Sequence, residues 1–308
     1  MDAARIPVLV GATGVGKTAV AVALSRHWPL EIVSADSRQV YRRLDIGTAK
    51  PPPRWLAKVP HHGLDQVDPG SRYSAGRFIQ DAPRWIREIQ GRGHLPVVVG
   101  GTGLYIRALV DGLFAEPSLE VSRRHALGEW LEGLEVGELL RWSARLDVGF
   151  KGGGRQRAMR SIEVALLTGR PLSYWQETAR RSGTIDPWYV YLTAPRAVLH
   201  HRIAVRAEEM VRRGLIEEVA AVLSEGHPGR APGLDAIGIR EAVEYLHGKR
   251  TRESVAEAVA ASTRQYAKRQ ETWFRHQLRG PVLTIDATRP PEELADEIAR
   301  AWQSGAKS

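Results

Sequence analysis

The sequence predicts an α/β fold: a P-loop NTPase-like parallel sheet flanked by helices, carrying an all-helical insertion domain. Three observations predict it. Short apolar runs that end in glycine or aspartate alternate with helical stretches. A glycine-rich turn with phosphate-binding spacing separates the first apolar run from the first helix. The alternation then stops between residues 115 and 186, where the pattern is helical with no clear strand.

Residues 6–10 (IPVLV) read as a strand that stops at Gly11, and 17–27 read as the helix after the turn. Residues 30–33 (LEIV) repeat the strand signal and end at Ser34-Ala35-Asp36. A helix over about 74–90 leads to a third strand, 95–99 (LPVVV), which ends at Gly100-Gly101, with another helix starting near Thr102. Residues 188–193 (WYVYLT) form a strand before a long helical segment, and 281–285 (PVLTI) precede a last helix at about 291–303. The core therefore comprises 1–114 and 187–308, and 115–186 form the insertion. Within the insertion, Lys151-Gly152-Gly153-Gly154-Arg155 reads as a hinge-like loop. The stretch 141–160 carries Arg141, Arg145, Lys151, Arg155, Arg157 and Arg160 against the single acid Asp147, which is either a functional basic surface or a solvated helix face.

Composition narrows the function. The chain of 308 residues has 43% apolar residues, enough for a sizeable core. It has no cysteine, which excludes disulfides, thiol nucleophiles and thiolate zinc sites and fits a reducing compartment. No run approaches the roughly 18 apolar residues of a membrane span. The start, Met1-Asp2-Ala3-Ala4-Arg5, lacks a signal-peptide apolar region, so the expectation is a cytoplasmic protein with no membrane partner. Lys and Arg total 44 against 35 Asp and Glu, a net charge of +9 that points either to a polyanionic partner or to solubility alone.

The turn Gly11-Ala12-Thr13-Gly14-Val15-Gly16-Lys17-Thr18 matches G-x-x-x-x-G-K-[ST] without a mismatch. Its glycines let backbone N–H groups converge on phosphate oxygens, and the helix start adds partial positive charge. Lys17 supplies a full charge, and the Thr18 hydroxyl can hold Mg²⁺. The motif indicates a di- or triphosphate without indicating hydrolysis. Asp36, at the end of the second strand, reads from the residues alone as metal ligand, general base or turn residue. His61 and His62 are adjacent on an extended segment and point to opposite faces, so structural hydrogen bonding is favoured over a shared metal. On the late helix, about 253–279, Arg264, Lys268, Arg275 and Arg279 fall within roughly 60° of arc. Val255, Val259, Tyr266 and Trp273 lie opposite, which suggests one core-packed face and one phosphate-facing face.

Further motifs carry a family resemblance: Ser34-Ala35-Asp36-Ser37-Arg38-Gln39-Val40-Tyr41, Asp45-Ile46-Gly47-Thr48-Ala49-Lys50-Pro51, Val59-Pro60-His61-His62 and Val99-Gly100-Gly101-Thr102-Gly103-Leu104-Tyr105. With the phosphate loop, and with Arg155–Arg160, Ala236–Glu241 and Thr263–Gln270 followed by Trp273-Phe274, the chain resembles the tRNA dimethylallyltransferases over about 6–275. The absence of cysteine makes it similar to the compact bacterial form rather than to eukaryotic members with a zinc finger. The chain departs from the common loop pattern at Ala12, Gly14 and Val15, which contribute backbone, and at Ile239, where an aromatic is common.

The resemblance implies transfer of the dimethylallyl group from dimethylallyl diphosphate to N6 of adenosine 37 in tRNAs that read codons starting with U. It implies Asp36 as general base, and Thr102 and Lys17 as catalytic groups at the leaving diphosphate. The diphosphate or nucleotide site would be Gly11, Ala12, Thr13, Gly14, Val15, Gly16, Lys17, Thr18 and Arg206, with Arg202 less favoured. The tRNA contacts would be Asp36, Ser37, Arg38, Gln39, Thr102, Arg124, Gln156, Arg157, Ala158, Met159, Arg160, Arg264 and Lys268. Mg²⁺ is the expected cofactor, the tRNA anticodon stem-loop the expected partner, and a monomer the expected state. Two alternatives use the same core: an ATP-dependent nucleoside or small-molecule kinase, and a non-catalytic, nucleotide-gated RNA-binding module.

Overall fold

The computed structural model describes residues 5–114, 119–178, 182–229 and 231–305. Met1-Asp2-Ala3-Ala4, read above for targeting signals, and parts of the predicted insertion at 115–118 and 179–181 lie outside the described residues.

The core strands are β1 (Arg5–Gly11), β2 (Leu30–Ser34), β3 (His61–His62), β4 (Leu95–Gly100), β5 (Asp186–Thr193) and β6 (Val282–Asp286). They form one parallel sheet in the order β3-β2-β4-β1-β5-β6. The central strands are buried almost continuously, which is why they read as unbroken Val, Ile and Leu runs rather than as alternation. β3 was not anticipated. Its two residues pair Ile32 with His61 and Val33 with His62, and so short an edge has no period to detect.

The helices of the core are α1 (Lys17–Leu24), α2 (Pro53–Leu56), α3 (Ala75–Gly91) and α4 (Gly103–Asp111) before the insertion. α1 stops at Leu24, short of the expected 27, because Ser25, Arg26 and His27 close tighter turns onto Val22, Ala23 and Leu24. In α3 the Ser74 hydroxyl caps the Arg77 N–H, and Phe78, Ala82, Trp85, Ile86 and Ile89 make the buried stripe.

The insertion holds α5 (Val121–Glu132), α6 (Val136–Leu146), α7 (Arg155–Thr168) and α8 (Leu172–Thr178). α6 starts with a reciprocal Glu135–Glu138 capping box, and α7 ends at Gly169 with φ 68°. Leu131, Leu139, Ala158 and Ile162 form this unit's own small core.

The core resumes with α9 (Arg196–Arg212), α10 (Leu215–Ser224), α11 (Ile239–Leu246), α12 (Arg252–Gln277) and α13 (Pro291–Gly305). Two compact units result: Met1–Val110 with Thr184–Ser308, and Asp111–Gly183. Residues 111–114 thus group with the insertion and 184–186 with the core, a small shift from the boundaries read in the sequence. The Gly152–Gly154 loop also needs correction. It joins α6 to α7 inside the second unit, so it is not a hinge at the unit's junctions. Among the described residues no helix is long and apolar enough to cross a membrane.

Candidate active site

The carboxyl ends of β1, β2 and β4 bring three loops of the core together. The first is Gly11–Thr18. Gly11 takes φ 148°, Gly14 φ 81° and Gly16 φ 103°, so the turn needs glycine to follow this path. At Gly11 a Cβ would also lie 2.5 Å from the Leu192 carbonyl oxygen. Val15 is buried beneath the loop, so it and Ala12 can offer a ligand backbone only. The Lys17 ammonium donates to the Gly11 and Ala12 carbonyls, each at 2.9 Å. Burial lowers the Lys17 pKa to about 8, the Asp36 charge opposing that drop and Arg206 adding to it.

The second loop follows β2. Asp36 Oδ1 accepts the Arg38 N–H at 2.8 Å and the Gln39 N–H at 3.4 Å, which makes Asp36 a turn residue through one oxygen. Oδ2 makes no hydrogen bond among the described residues and stays available for chemistry. Gln39 Nε2 donates to the Ala49 carbonyl, and the Ser34 hydroxyl donates to Gln39 Oε1.

The third loop follows β4. The Thr102 hydroxyl accepts the Ser37 N–H at 3.0 Å and lies 3.3 Å from the Ser37 hydroxyl, so it ties the third loop to the second. Tyr266 on α12 adds its phenol at Thr102 and near Asp36, and burial with the Asp36 charge pushes its pKa up to about 12.

Lys17, Asp36, Ser37, Gln39 and Tyr266 border one cavity of about 800 Å³ in the core unit, whereas Thr102, Gly11, Ala12 and Val15 are not part of its lining. Its lining includes Thr13, Gly14, Gly16, Lys17, Thr18, Asp36, Ser37, Arg38, Gln39 and Arg206 from the predicted site. Arg206 donates to the Ala49 carbonyl, and Arg202, also in the lining, donates to the Val15 carbonyl. Burial pulls the Arg206 guanidinium below its ordinary range, an effect the Asp36 carboxylate offsets. Glu209, one turn along the same helix, pairs with Arg212 instead.

A divalent cation fits this donor set. Thr18 and Asp36 both line the cavity, so a hydroxyl and a carboxylate are available there as oxygen donors. That suits a hard cation such as Mg²⁺, which keeps several waters and takes its remaining ligands from a bound phosphate. His61 and His62 are separately engaged, His61 Nδ1 with the Val59 carbonyl and His62 Nε2 with Glu31, in agreement with a structural role.

Of the other predicted contacts, Lys268 is exposed and Arg264 half-exposed on α12. Arg279 lies beyond the end of α12 at Gln277, where Leu278 turns extended, so it leaves the basic face assigned to it. In the insertion, Gln156 and Arg157 are exposed at the start of α7, and Arg124 and Arg160 pair with Glu163. Ala158 is corrected. Its side chain is fully buried, its N–H donates to Gly154 and its carbonyl accepts from Ser143, so it has nothing to offer an RNA. Met159 is half-buried against the same small core.

Sequence reasoning missed two residues. Tyr266 was assigned to the core-packing face, yet it reaches the cavity. Gln270, buried one helical turn later, has its side-chain oxygen on the Thr13 N–H at 2.8 Å and its nitrogen on the Gly101 carbonyl at 2.7 Å. The i,i+4 spacing of these two polar residues on the apolar side of α12 was the available signal.

Comparison with known proteins places the chain in a family. The family profile described as IPP transferase matches residues 39–277, and that described as isopentenyl transferase matches 4–66. The tRNA dimethylallyltransferase of Bordetella petrii is 40% identical, with 97% of this chain and 98% of that one covered. The tRNA dimethylallyltransferase of Geobacter metallireducens is 40% identical over 88% of this chain and 89% of its own. The crystal structure of the full-length tRNA isopentenylpyrophosphate transferase of Bacillus halodurans superposes with TM-score 0.71 at 32% identity, covering 98% of each chain. A eukaryotic dimethylallyltransferase acting on tRNA superposes with TM-score 0.81 at 25% identity, covering 98% of this chain and 80% of that one.

Proposed function

This chain belongs to the IPP transferase family as a tRNA dimethylallyltransferase, and on that premise we propose that its cavity joins dimethylallyl diphosphate to N6 of adenosine 37 in the tRNA anticodon loop. The observation that carries the reading is the shared lining. The phosphate-binding loop and a carboxylate with one unengaged oxygen border the same cavity.

The diphosphate lies against the loop amides, with Lys17 and the Arg202–Arg206 pair facing it. Its negative charge grows as the bond from C1 of the dimethylallyl group to oxygen breaks, and fixed cations in a half-buried site stabilise that charge. Thr102, held by Ser37, and Tyr266 supply neutral hydroxyls near the departing oxygen. The N6 nitrogen forms its new bond to C1 and gives up one proton, which Asp36 Oδ2 accepts. The Arg38 and Gln39 amides hold the other Asp36 oxygen and fix the orientation of the carboxylate. Thr18 would hold a Mg²⁺ ion, which would supply further charge neutralisation at the leaving group.

Adenosine 37 is stacked in its loop, so access to Asp36 requires the base to leave the stack. Ser37, Arg38 and Gln39 bound the cavity where it would enter. Arg264 and Lys268 on α12, with Arg124, Gln156, Arg157 and Arg160 of the insertion, supply phosphate and loop contacts. The proposal further takes the protein to be a monomer that acts in the cytoplasm, checked by light scattering and by fractionation. The kinase and the non-catalytic RNA-binding module are not favoured, because the relatives are tRNA dimethylallyltransferases rather than phosphotransferases or binding modules.

The test is nucleoside mass spectrometry on unmodified tRNA incubated with the protein, Mg²⁺ and either dimethylallyl diphosphate or ATP. Prenylated adenosine at position 37 is expected in the first reaction only. Unchanged tRNA in both, from folded protein and a susceptible tRNA, overturns the reading.

A further inference from the structure

The Gln270 side chain has two partners, and they belong to different parts of the site. Its oxygen accepts the N–H of Thr13 in the phosphate-binding loop, 257 residues away in sequence. Its nitrogen donates to the carbonyl of Gly101, directly before Thr102. Only 6% of Gln270 is exposed, so neither bond competes with bulk water. The approach is close. A Cβ on Gly101 would lie 2.3 Å from Gln270 Nε2 and 3.7 Å from the Lys17 ammonium. The carboxamide therefore sits beside the charge that faces the diphosphate.

Gln270 also shares α12 with the cations assigned to RNA. Lys268 is two residues before it, and Arg264 six. Tyr266, four before, bonds Thr102 from the same helix face and lines the cavity that Asp36 borders. α12 is thus the element that carries both the RNA-facing charges and the pin on the phosphate loop. A rigid helix shifted by RNA at one face moves groups on its other face with it.

Resting on the transferase reading above, we propose that Gln270 is a positioning residue that couples tRNA binding on α12 to diphosphate binding in the Gly11–Thr18 loop. The physical basis is the Thr13 amide. A loop N–H already bonded to Gln270 is held in one place and is not free to turn toward a phosphate. Any movement of α12 changes how that amide, and the Gly101–Thr102 segment on the other end of the same carboxamide, are presented to the ligand. Linkage then requires that each substrate alters the affinity for the other by the same factor.

The experiment uses the full chain with Mg²⁺, a tRNA anticodon stem-loop, and the unreactive thiolodiphosphate analogue of dimethylallyl diphosphate. Calorimetry gives the Kd of the analogue with and without saturating stem-loop for wild type, Gln270→Met and Gln270→Glu. Methionine approximates the shape without either hydrogen bond. Glutamate can still accept from Thr13 but, when ionised, cannot donate to Gly101. In wild type the stem-loop is expected to change the analogue's Kd by about fivefold or more. In Gln270→Met that ratio falls to one, while the affinity for stem-loop alone stays within about twofold because the α12 cations are intact. Gln270→Glu loses the ratio and binds the analogue more weakly than Gln270→Met, since it adds negative charge beside the diphosphate.

A ratio of one in wild type, or an unchanged ratio in Gln270→Met, overturns the proposal. So does equal weakening of both ligands with a lowered unfolding temperature, the mark of a merely structural role. Wild-type prenyl transfer is measured in parallel. Transfer with no coupling refutes the role of Gln270 and leaves the transferase reading intact, whereas no transfer refutes that reading itself.

Discussion

Gly103 lies against the indole of Trp273: a Cβ at position 103 would stand 2.5 Å from the ring. The contact joins the first residue of α4 to α12, next to the Thr102–Ser37 hydrogen bond. Gly103→Ala must therefore displace either the indole or the start of α4. Overpacking of this kind costs about 1–3 kcal/mol, and moving α4 carries Thr102 with it. A lowered unfolding temperature is expected together with slower prenyl transfer. Combining Gly103→Ala with Trp273→Leu should restore part of both. Thermal unfolding and single-turnover transfer by the two variants check this, and full activity in Gly103→Ala would show that the contact is not needed.

Asp36 separates two roles by oxygen. Asn at this position still offers an oxygen to the Arg38 amide but has no basic oxygen for the N6 proton. Asp36→Asn is expected to keep the unfolding temperature and tRNA affinity while transfer falls by about 10²–10⁴. Asp36→Ala loses the turn as well, so it should also weaken binding. The comparison rests on single-turnover rates beside tRNA affinities. An Asp36→Asn enzyme with wild-type rate would remove Asp36 as base.

What could be read in the sequence follows from how local each signal is. β1, β2, β4, β5 and β6 are runs of apolar and β-branched residues, and the phosphate loop is a contiguous motif, so neighbouring residues alone reveal them. The position of Asp36 beside that loop depends on a crossover order, β2-β4-β1, that the motif spacing implied only through family resemblance. Gln270 shows the opposite case. Both of its bonds join residues more than a hundred positions apart, and periodicity placed it no better than any polar residue on a helix. Ala158 fell inside a segment that reads as helical, but its burial depends on how α7 faces α5 and α6.

Glu31 predicts the response to acid. It is buried on β2, where Arg92 contributes two hydrogen bonds at 2.8 Å, with His62 at 2.7 Å and His94 at 2.9 Å. The Arg92 bonds, followed by those of the histidines, lower the Glu31 pKa from 4.5 to about 2 against the cost of burial. Between those values the unfolded chain binds more protons than the native one. The stabilisation is therefore complete above about 4.5 and lost as pH falls toward about 2. Glu31→Gln should cost about 1–3 kcal/mol at neutral pH and flatten the acid limb of stability. Urea unfolding of both proteins across this range measures it. An equally steep acid limb in the variant would assign acid sensitivity to other carboxylates.

Lys17 predicts the response to base. Its pKa of about 8 in the ligand-free protein, against an ordinary 10.5, means that the native chain releases this proton before the unfolded chain does. Between the two values the unfolded state holds more protons, so this group makes the ligand-free protein more stable as pH rises. Ligand binding takes the opposite sign. A diphosphate beside Lys17 favours the charged ammonium, so binding above about pH 8 must draw a proton from solvent. Affinity for inorganic diphosphate is expected to weaken by up to about tenfold per pH unit in that range, relative to the ionisation of diphosphate itself. Lys17→Arg supplies the control, because a guanidinium keeps its charge throughout. Its affinity should follow diphosphate ionisation alone. Calorimetry in buffers of different ionisation enthalpy separates the two, since only the wild type takes up the additional proton. The same proton uptake in Lys17→Arg would mean that another group, and not Lys17, senses the diphosphate.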